Sequence, residues 1–67
     1  MKKYLVIDQK YPIIFDLNLS HCDIAKGKNV TSAGFIDNKG TCFGLVLELR
    51  VLSKKTDTTL IKKFFKY

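Results

Sequence analysis

The chain has no tryptophan, one histidine, one proline and two cysteines, and its six acidic residues are scattered singly. These shortages exclude several classes. A structural zinc site wants four soft ligands in closely spaced pairs, whereas His21, Cys22 and Cys42 are the only ones present and form no C-x2-C pair. No carboxylate pair for general acid and base work can be named. His21 precedes Cys22 directly, but neighbours in an extended loop point apart and no oxyanion site accompanies them, so nucleophilic catalysis is not expected. The four glycines, at positions 27, 34, 40 and 44, fit neither G-x-G-x-x-G nor a P-loop.

Two cysteines are too few for a secreted disulfide scaffold, which predicts a reducing compartment and free thiols, with a Cys22–Cys42 bridge as the alternative. The basic and apolar opening, Met1 to Ile7, stops at Asp8, short of the roughly 7 to 15 apolar residues of a signal peptide. No run nears the roughly 20 residues of a membrane span. The expectation is a cytoplasmic, non-catalytic protein with neither cofactor nor metal.

What is present suffices for one core. The 67 residues are 46% hydrophobic, with three tyrosines and five phenylalanines. A chain this short makes a single domain over residues 1–67, of marginal stability, alone or as a small homo-oligomer.

Two β-branched and aromatic runs, Tyr4–Ile7 and Ile13–Phe15, predict a hairpin in which Pro12, unable to donate, sits at a strand start or edge. Residues 16–29 lack a sustained period. Asn18 and Ser20 offer caps there, and Asp23 to Lys26 form one helical turn that Gly27 ends in the left-handed region. Val30–Ile36 reads as a strand, and Asp37-Asn38-Lys39-Gly40 as a turn. From Cys42 to Leu52 the alternation predicts one long strand, bent or bulged because of its length, with Phe43, Leu45, Leu47, Leu49 and Val51 facing the core. Gly34 and Gly44 fall opposite each other across this hairpin, marking a bulge or close contact.

After Ser53 the period changes. Ser53 or Thr56 can cap a helix with Asp57 at its positive end, whose face of Leu60, Ile61, Phe64 and Phe65 packs on the sheet. On this reading, alanine at Phe64 or Phe65 unfolds the domain. The predicted fold is α+β, an antiparallel sheet of four or five strands with one C-terminal amphipathic helix.

Charge is the most informative feature. Twelve Lys and Arg against six Asp and Glu give a net charge of +6, and every cation but Arg50 is lysine. Such an excess favours nucleic acid or an acidic protein face as partner. Lysine, a point charge, suits backbone attraction better than bidentate base reading. Lys54, Lys55, Lys62, Lys63 and Lys66 gather around the last helix, with Lys2 and Lys3 able to join them. Lys26, Lys28 and Lys39 form a second group, expected at one loop end with Tyr11. A simply solvated helix face is the competing account. No helix-turn-helix or zinc finger is present, so sequence-specific major-groove reading is disfavoured.

Pro12-Ile13-Ile14-Phe15, His21, Ala25, Gly27, Ser32-Ala33-Gly34-Phe35, Cys42-Phe43-Gly44 and Asp57, in that order, resemble a family of short phage and prophage proteins. The resemblance implies a mobile-element origin. By analogy of size and setting it points to anti-CRISPR-like inhibitors, which bind a host defence nucleoprotein complex and occlude it sterically and electrostatically. The alternative expectation is direct, sequence-nonspecific nucleic-acid binding.

Overall fold

Tyr4, Leu5 and Val6 are consecutive and all buried. Successive strand residues point to opposite faces, so a run buried at every position must be covered on both sides. A computed structural model describing residues 1–67 shows how. Strands β1 (Lys2–Ile7), β2 (Tyr11–Phe15), β3 (Val30–Ile36) and β4 (Cys42–Phe43) form one antiparallel sheet in the order β2-β1-β3-β4. A second, two-stranded ribbon pairs β5 (Leu45–Val46) with β6 (Val51–Leu52). Helices α1 (His21–Ala25) and α2 (Asp57–Phe64) complete the α+β fold.

The two faces of the sheet carry separate cores. Leu5, Phe15 and Ala33 pack with Ala25 of α1 and Val46 of the ribbon. Tyr4, Val6 and Ile36 pack with Ile61 of α2 on the other side. β1 lies between β2 and β3 and supplies both cores.

Local chemistry explains most element boundaries. Pro12 sits in β2, an edge strand, where its missing N–H costs no ladder bond. Ser20 caps α1 by accepting from the Cys22 N–H at 3.1 Å, and Gly27 follows the helix at φ +72°. α1 thus begins at His21, two residues before the turn expected from Asp23. The β1–β3 ladder runs Val6↔Ser32 and then Ile7↔Val30, leaving Thr31 as a bulge.

Two expectations are corrected. The stretch from Cys42 to Leu52 is not one strand: Gly44 adopts φ +89°, Leu47–Leu49 form a 3-10 turn, and Arg50 adopts φ +55°. Its pattern is correspondingly broken, with Val46 buried, Phe43 and Leu45 exposed, and Leu47 81% exposed. The chain leaves the sheet at Gly44, whose φ of +89° lies outside the extended region of a strand. A Cβ at Gly34 would collide with the Phe43 carbonyl oxygen, so the glycine pair opposite each other does mark a close contact.

The second correction concerns α2. Ile61 is fully buried and Leu60 partly, but Phe64 is 54% exposed and Phe65, already past the helix end, 38%. The helix runs only eight residues, and Phe64 and Phe65 at its end lie outside the core.

Candidate functional site

α2 is fastened to the sheet mainly by polar groups. The Asp57 carboxylate, 3% exposed, accepts from the Tyr4 hydroxyl at 2.5 Å, the Ser32 hydroxyl at 2.9 Å and the Lys54 N–H at 2.9 Å. Thr58 Oγ1 accepts from the Cys42 N–H at 3.0 Å. One short helix is thereby tied to β1, β3 and β4. Burial, reinforced by the hydrogen bond to the Asp57 carboxylate, pushes the Tyr4 hydroxyl far above the ordinary phenol range. Tyr4 therefore stays a neutral donor, and Asp57 serves as the helix's internal anion at its positive end.

Beside α2 runs an open groove of about 390 Å³. Val6, Thr31 and Ser32 form its sheet side, Gln9 its turn end, and Thr56, Thr59, Leu60 and Lys63 its helix side, with Lys54 at the mouth. The bulge explains why consecutive residues Thr31 and Ser32 both line it, since an extra residue re-aims the side chains around it. Gln9 is held there at φ +60° with its N–H on Thr31 Oγ1 at 2.9 Å.

On the opposite face, His21 is buried and sits edge-on between Phe15 and Phe35, with ring centroids 5.2 and 5.7 Å away. Its Nε2 donates to the Gly34 carbonyl at 2.8 Å. His21 is thus a core donor rather than the polar loop group expected from sequence. Cys22 gives its thiol to Glu48 at 3.2 Å, and that hydrogen bond to a carboxylate holds the thiol above its usual range. Burial does the same to Cys42. Both cysteines are free, and a raised thiol is a poor nucleophile at neutral pH. No three of the His, Cys, Asp and Glu side chains converge on one point.

The lysines divide by region. Lys54 and Lys63 meet at the groove. Lys55, Lys62 and Lys66 are exposed on the same α2 segment. The second group is split: Lys26 and Lys28 precede β3, at the end where Tyr11 pairs with Ile7, while Lys39 follows β3 in the turn that ties Asn38 to the Met1 amino group. The seven residues of β3 separate them, roughly 20 Å of extended chain. Lys2 pairs with Asp16 at 3.1 Å, and Lys3 donates to the Leu19 carbonyl at 2.7 Å, so neither joins the α2 group.

Five of the six acids are engaged within the fold, Asp23 being the exception. Asp57 is buried; Asp37 takes the N–H groups of Thr41 and Lys39, which lower its carboxyl below the usual range; Asp8 holds Asn29; Glu48 holds Cys22. Lys2–Asp16 is the one ion pair, so the other eleven of the twelve Lys and Arg side chains have no carboxylate partner.

The groove residues Gln9, Thr31, Ser32, Thr56 and Thr59 are not evident from the sequence, because a bulge position and a partly covered sheet face leave no pattern in it. Asp57 was legible as a helix-start acid, but its partners Tyr4 and Ser32 lie far off in the chain. Comparison with protein-family models, curated proteins and solved structures found no match. No helix is long and apolar enough to cross a membrane.

Proposed function

We propose that this chain is a non-catalytic binding protein that acts in the bacterial cytoplasm, attaching to a host defence nucleoprotein complex and inhibiting it by occlusion. The observation that carries the reading is the uncompensated charge: eleven cationic side chains have no carboxylate partner. A merely solubilising surface needs no such segregation. Clustered lysine without ion pairing attracts phosphate or acidic surfaces and raises association rate more than final affinity. Lys54, Lys55, Lys62, Lys63 and Lys66 on the α2 face form the principal contact surface, with Lys26, Lys28 and Lys39 as separate flanking charges. The resemblance to short phage and prophage proteins directs the reading toward a defence complex.

The second reading, direct nucleic-acid binding, is favoured by the hydroxyl-rich groove between Lys54 and Lys63. Affinity capture of the tagged protein from bacterial lysate, with and without nuclease, separates the two. Nuclease-resistant capture of one defence complex, in stoichiometric amount, supports inhibition. Capture abolished by nuclease supports direct binding, and no capture under either condition overturns both.

A further inference from the structure

The groove beside α2 has a composition that narrows its ligand. Its volume of about 390 Å³ lies at the small end of ligand sites, which span roughly 300 to 1,000 Å³. Val6 and Leu60 are its only hydrophobic lining residues and none is aromatic. A nucleobase or other flat ring would find nothing to stack on. What the groove offers is two ammonium groups, from Lys54 and Lys63, the amide of Gln9 and the hydroxyls of Thr56 and Thr59, since the Thr31 hydroxyl already donates to the Val6 carbonyl and accepts from the Gln9 N–H. Ammonium groups suit a phosphate, whereas amides and hydroxyls, which both donate and accept, suit the hydroxyls of a sugar.

Asp57, the buried carboxylate in the wall, accepts from Tyr4, Ser32 and the Lys54 N–H and forms no ion pair with either lysine. Both ammonium groups are therefore available to a ligand. One departure from regular structure also feeds the groove: Thr31 is the bulge residue of β3.

We propose that this groove binds a sugar-phosphate unit, with the phosphate between Lys54 and Lys63 and the sugar hydroxyls on Gln9, Thr56 and Thr59. The inference rests on reading the lysine-rich surface as phosphate-facing and gives that surface a specific address. The unit has two sources, a free sugar phosphate or the backbone of a nucleic-acid strand, and the chemistry at the groove is the same for both.

The test is amide NMR of the full chain, titrated separately with ribose, inorganic phosphate, ribose 5-phosphate and a single-stranded RNA of about eight nucleotides. Ribose 5-phosphate is expected to shift the amides of Gln9, Thr31, Thr56 and Thr59 saturably, and more tightly than either half alone. Lys54→Gln and Lys63→Gln should each weaken it about tenfold, the scale of one charge-assisted hydrogen bond. Arg50→Gln, in the ribbon that covers the opposite face of the sheet, should leave it within about twofold, as expected for a group outside the contact.

Tighter binding of the RNA at the same amides assigns the site to a nucleic-acid backbone; equal or weaker binding assigns it to a free sugar phosphate. Absence of saturable groove shifts with every probe, or equal loss in the Arg50 variant, overturns the proposal. If the groove is silent but the Lys54→Gln, Lys63→Gln double variant still captures its partner from lysate, the groove falls and the surface reading stands. Groove binding without capture does the reverse.

Discussion

The two faces of the central sheet are held by different physics. On the α1 face, Leu5, Phe15, Ala25, Ala33 and Val46 form an apolar core around the one buried imidazole. On the α2 face the helix contributes only Ile61 as a fully buried apolar group, and Asp57 anchors it to Tyr4 and Ser32. Apolar burial is non-directional and tolerates many arrangements. A buried carboxylate with three donors fixes one helix position and fails as a unit. The lysine cluster and groove therefore sit on the face whose geometry is specified by hydrogen bonds.

The largest expected effect breaks that specification. Asp57→Ala leaves the Tyr4 hydroxyl, the Ser32 hydroxyl and the Lys54 N–H without their acceptor. Since each stranded buried group costs about 1 to 3 kcal/mol, urea denaturation should show a loss of about 3 to 5 kcal/mol, most of the stability of a small domain. A loss below about 1 kcal/mol, the scale of one ordinary hydrogen bond, would mean that the carboxylate is not the anchor.

A second comparison lies within α2. Ile61→Ala should cost about 2 to 5 kcal/mol, whereas Phe64→Ala should cost under about 1, because the phenylalanine has lost little water contact. Equal losses in denaturation would return Phe64 to the core.

On the α1 face, His21→Phe keeps the aromatic packing with Phe15 and Phe35 but removes the donor to the Gly34 carbonyl. The expected loss is about 1 to 3 kcal/mol, smaller than that of Asp57→Ala because one bond is lost rather than three.

The smallest effect depends on pH. The folded Tyr4 hydroxyl titrates far above the ordinary phenol value of 10.0. A group raised on folding gives stability that is complete below its unfolded value and lost as pH rises beyond it. Thermal melting should therefore weaken above about pH 10, and Tyr4→Phe should flatten that dependence. An unchanged slope in the variant would assign the alkaline loss to other groups.

These contrasts also show which features the sequence made legible. β3 was readable to the residue over Val30–Ile36 because β-branched and apolar residues end at a clear Asp-Asn-Lys-Gly turn. Pro12 pointed to a strand start or an edge, and β2 is an edge strand, while the change of period after Ser53 placed α2. The stretch from Cys42 to Leu52 misled because alternation records only that every second residue is apolar. It does not record that Gly44 turns the chain out of the sheet at φ +89°, which leaves apolar Leu45 and Leu47 facing solvent. Phe64 and Phe65 misled for a related reason, since helical phase cannot say how far a sheet extends beneath a helix.

The lysine cluster was legible as charge, but its segregation from the acids was not. Asp57 is hidden by Tyr4, 53 positions away, and the groove depends on a bulge at Thr31. Such features arise from long-range packing that local pattern does not encode.

The central claim is that the unpaired lysines of the α2 face carry partner binding. Its most direct test is the triple charge reversal Lys62→Glu, Lys63→Glu, Lys66→Glu, compared with the unaltered protein in affinity capture after circular dichroism has shown that the variant folds. All three side chains are exposed and make no ion pair, so the fold should survive. The account predicts that the folded variant loses the captured complex; undiminished capture by that variant would contradict it.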